Sequence, residues 1–395
     1  VDDVHAPLGD GSPLAEAALE AYLAGVAAVD PTVLVRGAVR QGLLDDWLVS
    51  RERPHALQVL ALGKAAPRML WGLVETAVPF FGLGVAPRGV PAPTVDTFRW
   101  LPGDHPVPAA ASFAAGQAVL DWAAALPNDA PVLVLLSGGA SACAEAPADG
   151  WAPAEVAALH TLLLASGKPI EAVNRERAAA SRLKAGGLGR ALLARTPRVR
   201  VWLLADTDPA HAQAAVGSGP CDAPGVPHRV LASASEAIVG AGLRLGALGW
   251  QAYRHAPRVE GDAAAAMEGF LAALDALPAD RDVALVGGGE ATVQVPPGAP
   301  PGGRCQHAAL AAARGLAARG SEALVLCGAT DGVDGAGAAG AWASARDWDE
   351  AAGTAALAHG AAQGYLAARG RLIPADPTGT NVNDLWIALR PGRRR

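Results

Sequence analysis

Short apolar runs that stop abruptly on glycine, lysine, serine or aspartate, each followed by an Ala-rich stretch long enough for several helical turns, decide what this chain can become. Residues 56–62 run into Gly63-Lys64, 131–136 into Ser137-Gly138-Gly139-Ala140-Ser141, and 198–205 into Asp206-Thr207-Asp208. Helical patterns lie between them, near 13–28, 65–78, 109–126, 151–165, 171–182 and 231–247, the first with Ser12 and Pro13 as N-cap and first helical residue. Strands alternating with helices make an α/β chain with a largely parallel sheet. A second block begins at Asp282, with strands over 283–286 and 291–295 separated by Gly287-Gly288-Gly289-Glu290. A Pro/Gly-rich loop (296–303), a helix (306–318), a strand (323–328), a helix (350–368) and a last strand (384–390) follow. The expected division is a domain over 1–250, a connecting helix and linker over 251–281, and a smaller α/β domain over 282–395.

Composition narrows the function. The formal charge is −6 and no basic stripe is present, which argues against binding nucleic acid, where several phosphates must be neutralised together. Charged residues or glycine interrupt every long apolar run, so no membrane span is expected. The acidic start, Val1-Asp2-Asp3-Val4-His5, has no signal pattern, and Cys143, Cys221, Cys305 and Cys327 form no C-x-x-C pair. Both point to a cytoplasmic protein with reduced thiols. Of the 32 basic residues only Lys64, Lys168 and Lys184 are lysine, the mark of GC-rich coding bias. A lysine kept at a strand end therefore draws notice.

In an open α/β sheet, ligands bind beyond the carboxyl ends of the strands. Glycines there let backbone N–H groups approach an anion, so Ser137, Gly138, Gly139 and Ser141 are candidates for holding phosphate, with Lys64 beside them. No G-x-x-x-x-G-K-[ST] motif occurs. Asp206, Asp208, Asp331 and Asp334 sit by loops or glycines, where a carboxylate can reach Mg²⁺ while substrate phosphates complete its shell; turn-forming Asp is the alternative. Arg304, after Gly302-Gly303, can fork onto a carboxylate or phosphate. His105, in a Pro-bracketed loop, reads as structural. Two of the four asparagines fall in the loop 378–384, which closes over a ligand or braces another loop.

Taken together and in order, Gly63-Lys64-Ala65-Ala66, His105-Pro106-Val107-Pro108, Leu136 to Ala142, Val173-Asn174-Arg175-Glu176-Arg177 through Lys184, Ser218-Gly219-Pro220, Gly288-Gly289-Glu290, Gly302-Gly303-Arg304, Thr330 to Gly335 and Thr378 to Leu385 resemble the class II glycerate kinases with a MOFRL C-terminal domain. The resemblance spans essentially the whole chain. It implies a Rossmann-like N-terminal domain with a mostly parallel sheet, a smaller MOFRL-like α/β C-terminal domain, and a site in a cleft between them. It further implies ATP- and Mg²⁺-dependent phosphorylation of D-glycerate, usually at the 2-hydroxyl. By position, Lys64 is similar to the family's essential lysine, Asp206 to its post-strand aspartate and Arg304 to its Gly-Gly-Arg arginine. Asn174, Arg177 and Glu290 fall in motifs that imply substrate binding, and Lys184 in one that implies nucleotide binding. The chain departs from the family pattern at Ala140, Ala178, Ala185, Cys305 and His307, and after Gly335. A shift of one residue leaves open whether Asp206 or Asp208 is the family aspartate.

The mechanism expected is phosphoryl transfer by positioning and charge neutralisation. Lys64 and the Ser137–Ser141 backbone hold phosphate, Asp206 accepts the hydroxyl proton, Asp208 and Asp331 serve Mg²⁺, and Arg304 grips the carboxylate of glycerate. Arginine at position 64 or 184 is expected to fold but not to work. Two rival readings are a degenerate member that binds an anionic metabolite or nucleotide without turnover, and an NAD(P)H-linked hydroxypyruvate reductase. The nearest dinucleotide-like string for the latter, Gly187 to Leu192, follows a helix and not a strand.

Overall fold

The computed structural model describes residues 12–48, 55–166 and 170–393. Lys168, Arg394, Arg395 and the acidic start lie outside them. The chain forms two compact units. One comprises Asp30–Ser233 with Gly379–Asn381, and the other the residues up to Val29, Ala234–Thr378 and Val382 onward. The boundary expected near 250–282 is therefore corrected to 233/234. The first helix, Pro13–Ala28, also belongs with the C-terminal residues, because its small residues fit the helix Ala234–Ala247. A Cβ on Gly25 would press on the Ala237 carbonyl, and one on Gly240 would overlap Ala28. Tyr22 of the same helix donates its buried hydroxyl to the Ala329 carbonyl at 2.6 Å.

The first unit holds strands β1 (Leu57–Leu62), β2 (Phe80–Pro87), β3 (Phe98–Gly103), β4 (Val132–Leu136), β5 (Val199–Leu204) and β6 (His228–Ala232). They lie in the order β3-β2-β1-β4-β5-β6, all parallel, which is the doubly wound Rossmann order. The strands at the centre, β1 and β4, are almost wholly apolar and buried, as a sheet covered on both faces requires. The order reverses between these two strands, and their register pairs Leu62 with Leu136. Gly63 and Ser137 therefore emerge side by side at the switch point. Strands β2 and β3 give little sequence signal, because glycines interrupt β2. A Cβ on Gly82 would run into the Val59 carbonyl and one on Gly84 into the ring of Trp100.

The second unit holds β7 (Gln251–Arg254), β8 (Val259–Asp262), β9 (Val283–Thr292), β10 (Leu324–Ala329), β11 (Ala338–Ser344), β12 (Leu372–Pro374) and β13 (Asp384–Arg390). The order is β12-β11-β10-β13-β9-β7, with β8 also paired to β9. This sheet is mostly antiparallel; only β7 and β8 run parallel to β9. Eight residues, 330–337, link β10 to β11. That is too short for the crossover a parallel pair needs.

Three further local readings change in this unit. Residues 251–254 and 259–262 are strands, with a helix only over Ala263–Asp275, and the helix expected over 350–368 is two, Glu350–Ala358 and Ala362–Ala367. Gly287-Gly288-Gly289 is not a strand-end turn but lies inside β9. Side chains there would strike the Asp384 carbonyl from Gly288 and the Val259 backbone from Gly289, whose φ is +149°.

Candidate anion site

The carboxyl ends of β1 and β4 are knitted together by backbone. Lys64 N donates to the Gly138 carbonyl (2.9 Å), Ser137 N to the Leu62 carbonyl (3.0 Å), and Ala65 N to Ser137 Oγ (3.0 Å). Gly63, at φ +112°, could carry no side chain without overlapping Ser137. These bonds fix Lys64 against the Gly138-Gly139 turn. A Cβ on Gly139 would lie 2.9 Å from Lys64 Cγ and 3.3 Å from His105 Cδ2, and one on Gly138 would overlap Asp206 Oδ2 and stand 3.8 Å from Asn381 Nδ2. Lys64, His105, Asp206 and Asn381 thus converge on two glycines from four separate segments. The loop expected to brace or close contributes Asn381 here, and bonds through Thr378 and Val382 to Thr330 show its bracing role.

The charge of this corner is positive. Part of His105 is exposed, yet the burial of the rest, and then the charges of Lys64 and Arg177, lower its imidazole to about 4. It is therefore neutral near pH 7. Nε of Arg177 is buried and has no hydrogen-bond partner among the described residues. An unpaired buried donor on a cation is a costly arrangement unless an acceptor arrives. Ser141 and Asn174 are both tied to Ser218, whose hydroxyl lies 3.0 Å from Ser141 Oγ and donates to Asn174 Oδ1 at 2.9 Å. His105 and Ser218 are the residues sequence reasoning undervalued. The signal was their position inside family-like motifs, which alone says nothing of spatial proximity.

Asp206 faces Gly138, whereas Asp208 is exposed and caps its own turn by accepting from Ala210 N (2.9 Å). Lys184 does not reach this surface. Its side chain is 2% exposed and its amine bonds Glu145, itself fully buried. Glu145 also accepts from Ser181 Oγ (2.5 Å) and Ala146 N (2.9 Å), and His160 Nε2 lies 3.4 Å away. Burial favours the neutral acid, but the nearby His160 ring and the bonds from Lys184 and Ser181 outweigh it and hold Glu145 below its ordinary pKa. The expectation that Lys184 binds nucleotide is corrected: the lysine is internal, where its charge is compensated by Glu145.

The second unit contains Arg304, at the start of the helix Arg304–Ala318, beside a groove of about 350 Å³ lined by Glu290, Val293, Val295, Pro300, Arg304 and His307, among others. Its fork is already filled. Nε and Nη2 bond the two oxygens of Asp384 (2.7 and 3.0 Å), and Nη1 bonds Glu290 Oε1 (2.8 Å). The bidentate grip expected on a substrate carboxylate is thus made on Asp384, which is 1% exposed, and Glu290 is a partner of Arg304. Asp334 occupies the N-terminus of the same helix, accepting from Gln306 N at 2.9 Å, and Asp331 accepts from Val333 N at 3.1 Å. Among the described residues no three His, Cys, Asp or Glu side chains gather as a metal cluster. The four cysteines are buried and unpaired, and burial pushes Cys143 and Cys221 up to about 12.

Burial, then the charges of Asp334 and Glu290, raise Asp384 to about 6 even against Arg304. The folded chain thus keeps this proton between roughly pH 4 and 6, where the unfolded chain has released it, so this group's contribution to stability falls as pH rises through that window. Urea titrations from pH 4 to 7 should show a shallower loss in Asp384→Asn than in the wild type; identical slopes would show that Asp384 does not titrate there.

The fold and this corner define a class: a two-unit α/β protein whose Rossmann-ordered sheet presents a glycine-floored candidate anion site at its switch point. Residues 17–238 match the model described as a domain of unknown function, DUF4147, and residues 283–384 match the MOFRL family. The chain belongs to the class II, MOFRL-type glycerate kinase family. A D-glycerate 2-kinase of Thermotoga maritima is 30% identical, with 84% of this chain and 90% of that protein aligned. The crystal structure of a glycerate kinase from Thermotoga maritima has a TM-score of 0.80 at 25% identity, covering 95% of this chain and 99% of that one. An Agrobacterium vitis protein provisionally named hydroxypyruvate reductase is 33% identical over 41% of this chain and 42% of its own.

Proposed function

We propose that this chain transfers a phosphoryl group from ATP to D-glycerate, at the 2-hydroxyl, giving 2-phosphoglycerate. The observation that carries the reading is the convergence of Lys64, His105, Asp206 and Asn381 on Gly138-Gly139, with the buried, partnerless Nε of Arg177 as an adjoining source of positive charge. Such a corner fits phosphate: a fixed cation, bare backbone and an unsatisfied donor. Lys64 and the Ser137–Gly139 backbone would hold ATP phosphates, and Arg177 would take the carboxylate of glycerate in place of Arg304. The exposed Asp208 would be a protein carboxylate for a cation held chiefly by the nucleotide. Bound ATP and Mg²⁺ would supply the transferable phosphoryl group and offset its charge.

The chain's own residues do the rest. Asp206, next to Gly138, takes the hydroxyl proton; His105, with its pKa near 4, is too weak a base for that task and serves as a neutral hydrogen-bonding group. Arg304 orders the second unit's strand end by clamping Asp384 and Glu290. A reductase is disfavoured because Gly187-Leu188-Gly189 opens the helix Gly187–Leu193 after a turn, so no strand precedes it.

The deciding assay supplies ATP, Mg²⁺ and D-glycerate and couples to enolase, pyruvate kinase and lactate dehydrogenase, with and without phosphoglycerate mutase. Signal without mutase is the expected result. Signal only with mutase means the 3-phosphate. No signal in either, together with NADH oxidation by hydroxypyruvate in the absence of coupling enzymes, would replace the kinase with the reductase.

A further inference from the structure

Residues 217–219 run through the left-handed region one after another: Gly217 at φ +61°, Ser218 at +63° and Gly219 at +59°. L-residues other than glycine visit this region at a cost, normally singly, and such strain persists only where surroundings over-determine it. Ser218 is 4% exposed. Its backbone is held from the Lys184 side: Ala185 N donates to the Ser218 carbonyl (3.0 Å) and Gly186 N to that of Gly219 (2.7 Å). Ala185 is itself left-handed, at φ +45°. Lys184, the residue before it, is anchored by Glu145, which through Ser181 and Ala146 also fixes the approach to this turn. Two strained, non-glycine residues therefore lean on each other, one of them directly following the lysine of a buried ion pair.

The hydroxyl this arrangement presents bridges two elements distant in sequence. On one side is Ser141, in the one-turn helix Ala140–Cys143 after the Gly138-Gly139 turn; on the other is Asn174, in the helix Ile170–Ala179 that also carries Arg177. Asn174 Nδ2 meets the carbonyl of Ala215, the end of the helix Ala212–Ala215 that leads into this turn, at 3.4 Å, so residues 215–218 hold both ends of its amide. We propose that Ser218 is a positioning residue of the phosphoryl-transfer site: its left-handed backbone aims one hydroxyl to lock the Ser141 loop to the Arg177 helix, and the Glu145–Lys184 pair maintains that strain through Ala185. This inference rests on the kinase reading.

The test uses the full chain with Ser218→Gly, which keeps the left-handed backbone and removes the hydroxyl, and Ser218→Ala. Both should lower kcat for D-glycerate phosphorylation by about 10- to 100-fold, the scale of a small misplacement of reacting groups. Ser218→Gly should show no loss of thermal stability. In a Ser141→Ala background the Ser218 effect should shrink, because coupled positions are not additive. A kcat within twofold of wild type, or a loss of thermal stability with unchanged kcat, would overturn the assignment. If the wild type does not phosphorylate glycerate, the proposed function fails separately. Crystal structures of wild type and Ser218→Gly then decide the positioning claim: displaced Ser141 and Asn174 side chains uphold it, and unmoved ones overturn it.

Discussion

Lys64→Ala should lower kcat for D-glycerate phosphorylation about 10³-fold, the scale of losing one preorganised charge at a phosphoryl or oxyanion site, while the chain folds as before. The backbone bond from residue 64 to the Gly138 carbonyl needs no side chain, and the bonds across β1 and β4 are likewise main-chain or involve Ser137. A second readout separates lost charge from lost structure. Lys64 is one of the groups holding His105 near 4, after burial, so its removal should raise the His105 pKa in an NMR titration. Lys64→Arg keeps the charge but places a broad guanidinium where Gly139 has no room for a Cβ beside the lysine stem; it should restore the low His105 pKa without restoring activity. Near-full turnover in Lys64→Ala would remove Lys64 from the mechanism.

Why Lys64 was visible in the sequence and Glu145 was not follows from what each depends on. A lysine at the end of an apolar run, in a chain with three lysines, is a local signal, because a parallel strand's carboxyl end must point at the ligand side of the sheet. The same rule found Ser137 and Asp206. Glu145 instead gains its meaning from Lys184, 39 residues away, and Arg304 from Asp384, 80 residues away. No window of sequence holds both partners of either pair. The lone acid in Ala144-Glu145-Ala146 was the available hint, since a charge inside an apolar stretch must be paired if it is buried. Gly287-Gly288-Gly289 misled for a related reason. Glycine reads as a turn locally, but here it answers to the close backbones of β8 and β13, a demand set by sheet order. Strand β11, Ala338–Ser344, likewise takes its form from neighbours on both edges and not from β-branched residues of its own.

The largest stability effect is expected at the buried pair. Lys184→Met leaves the Glu145 carboxylate fully buried, with bonds from Ser181 and the Ala146 amide and with His160 and the Arg177 charge nearby, but without its ammonium partner. Removing one partner of a buried ion pair costs about 3–5 kcal/mol, because the other charge is stranded away from water. Read by urea unfolding, that is a loss large enough to threaten the whole unit, since domains are stable by only about 5–15 kcal/mol. Lys184→Arg, which the sequence alone suggested would fold, should also be destabilised: the site is closed around an ammonium group, and overpacking a dense interior costs roughly 1–3 kcal/mol. The double variant Glu145→Gln with Lys184→Met should recover at least half of the single-variant loss, because a neutral amide can keep the Ser181 bond without a stranded charge. If Lys184→Met costs less than about 1 kcal/mol, the pair does not carry the turn. If the double variant is worse than the single, the charge itself is not what makes the lysine necessary. Because Ala185 follows Lys184 and bonds the Ser218 carbonyl, the recovered double variant should fold yet turn over slowly, which separates the ion pair's support of the fold from its support of the site.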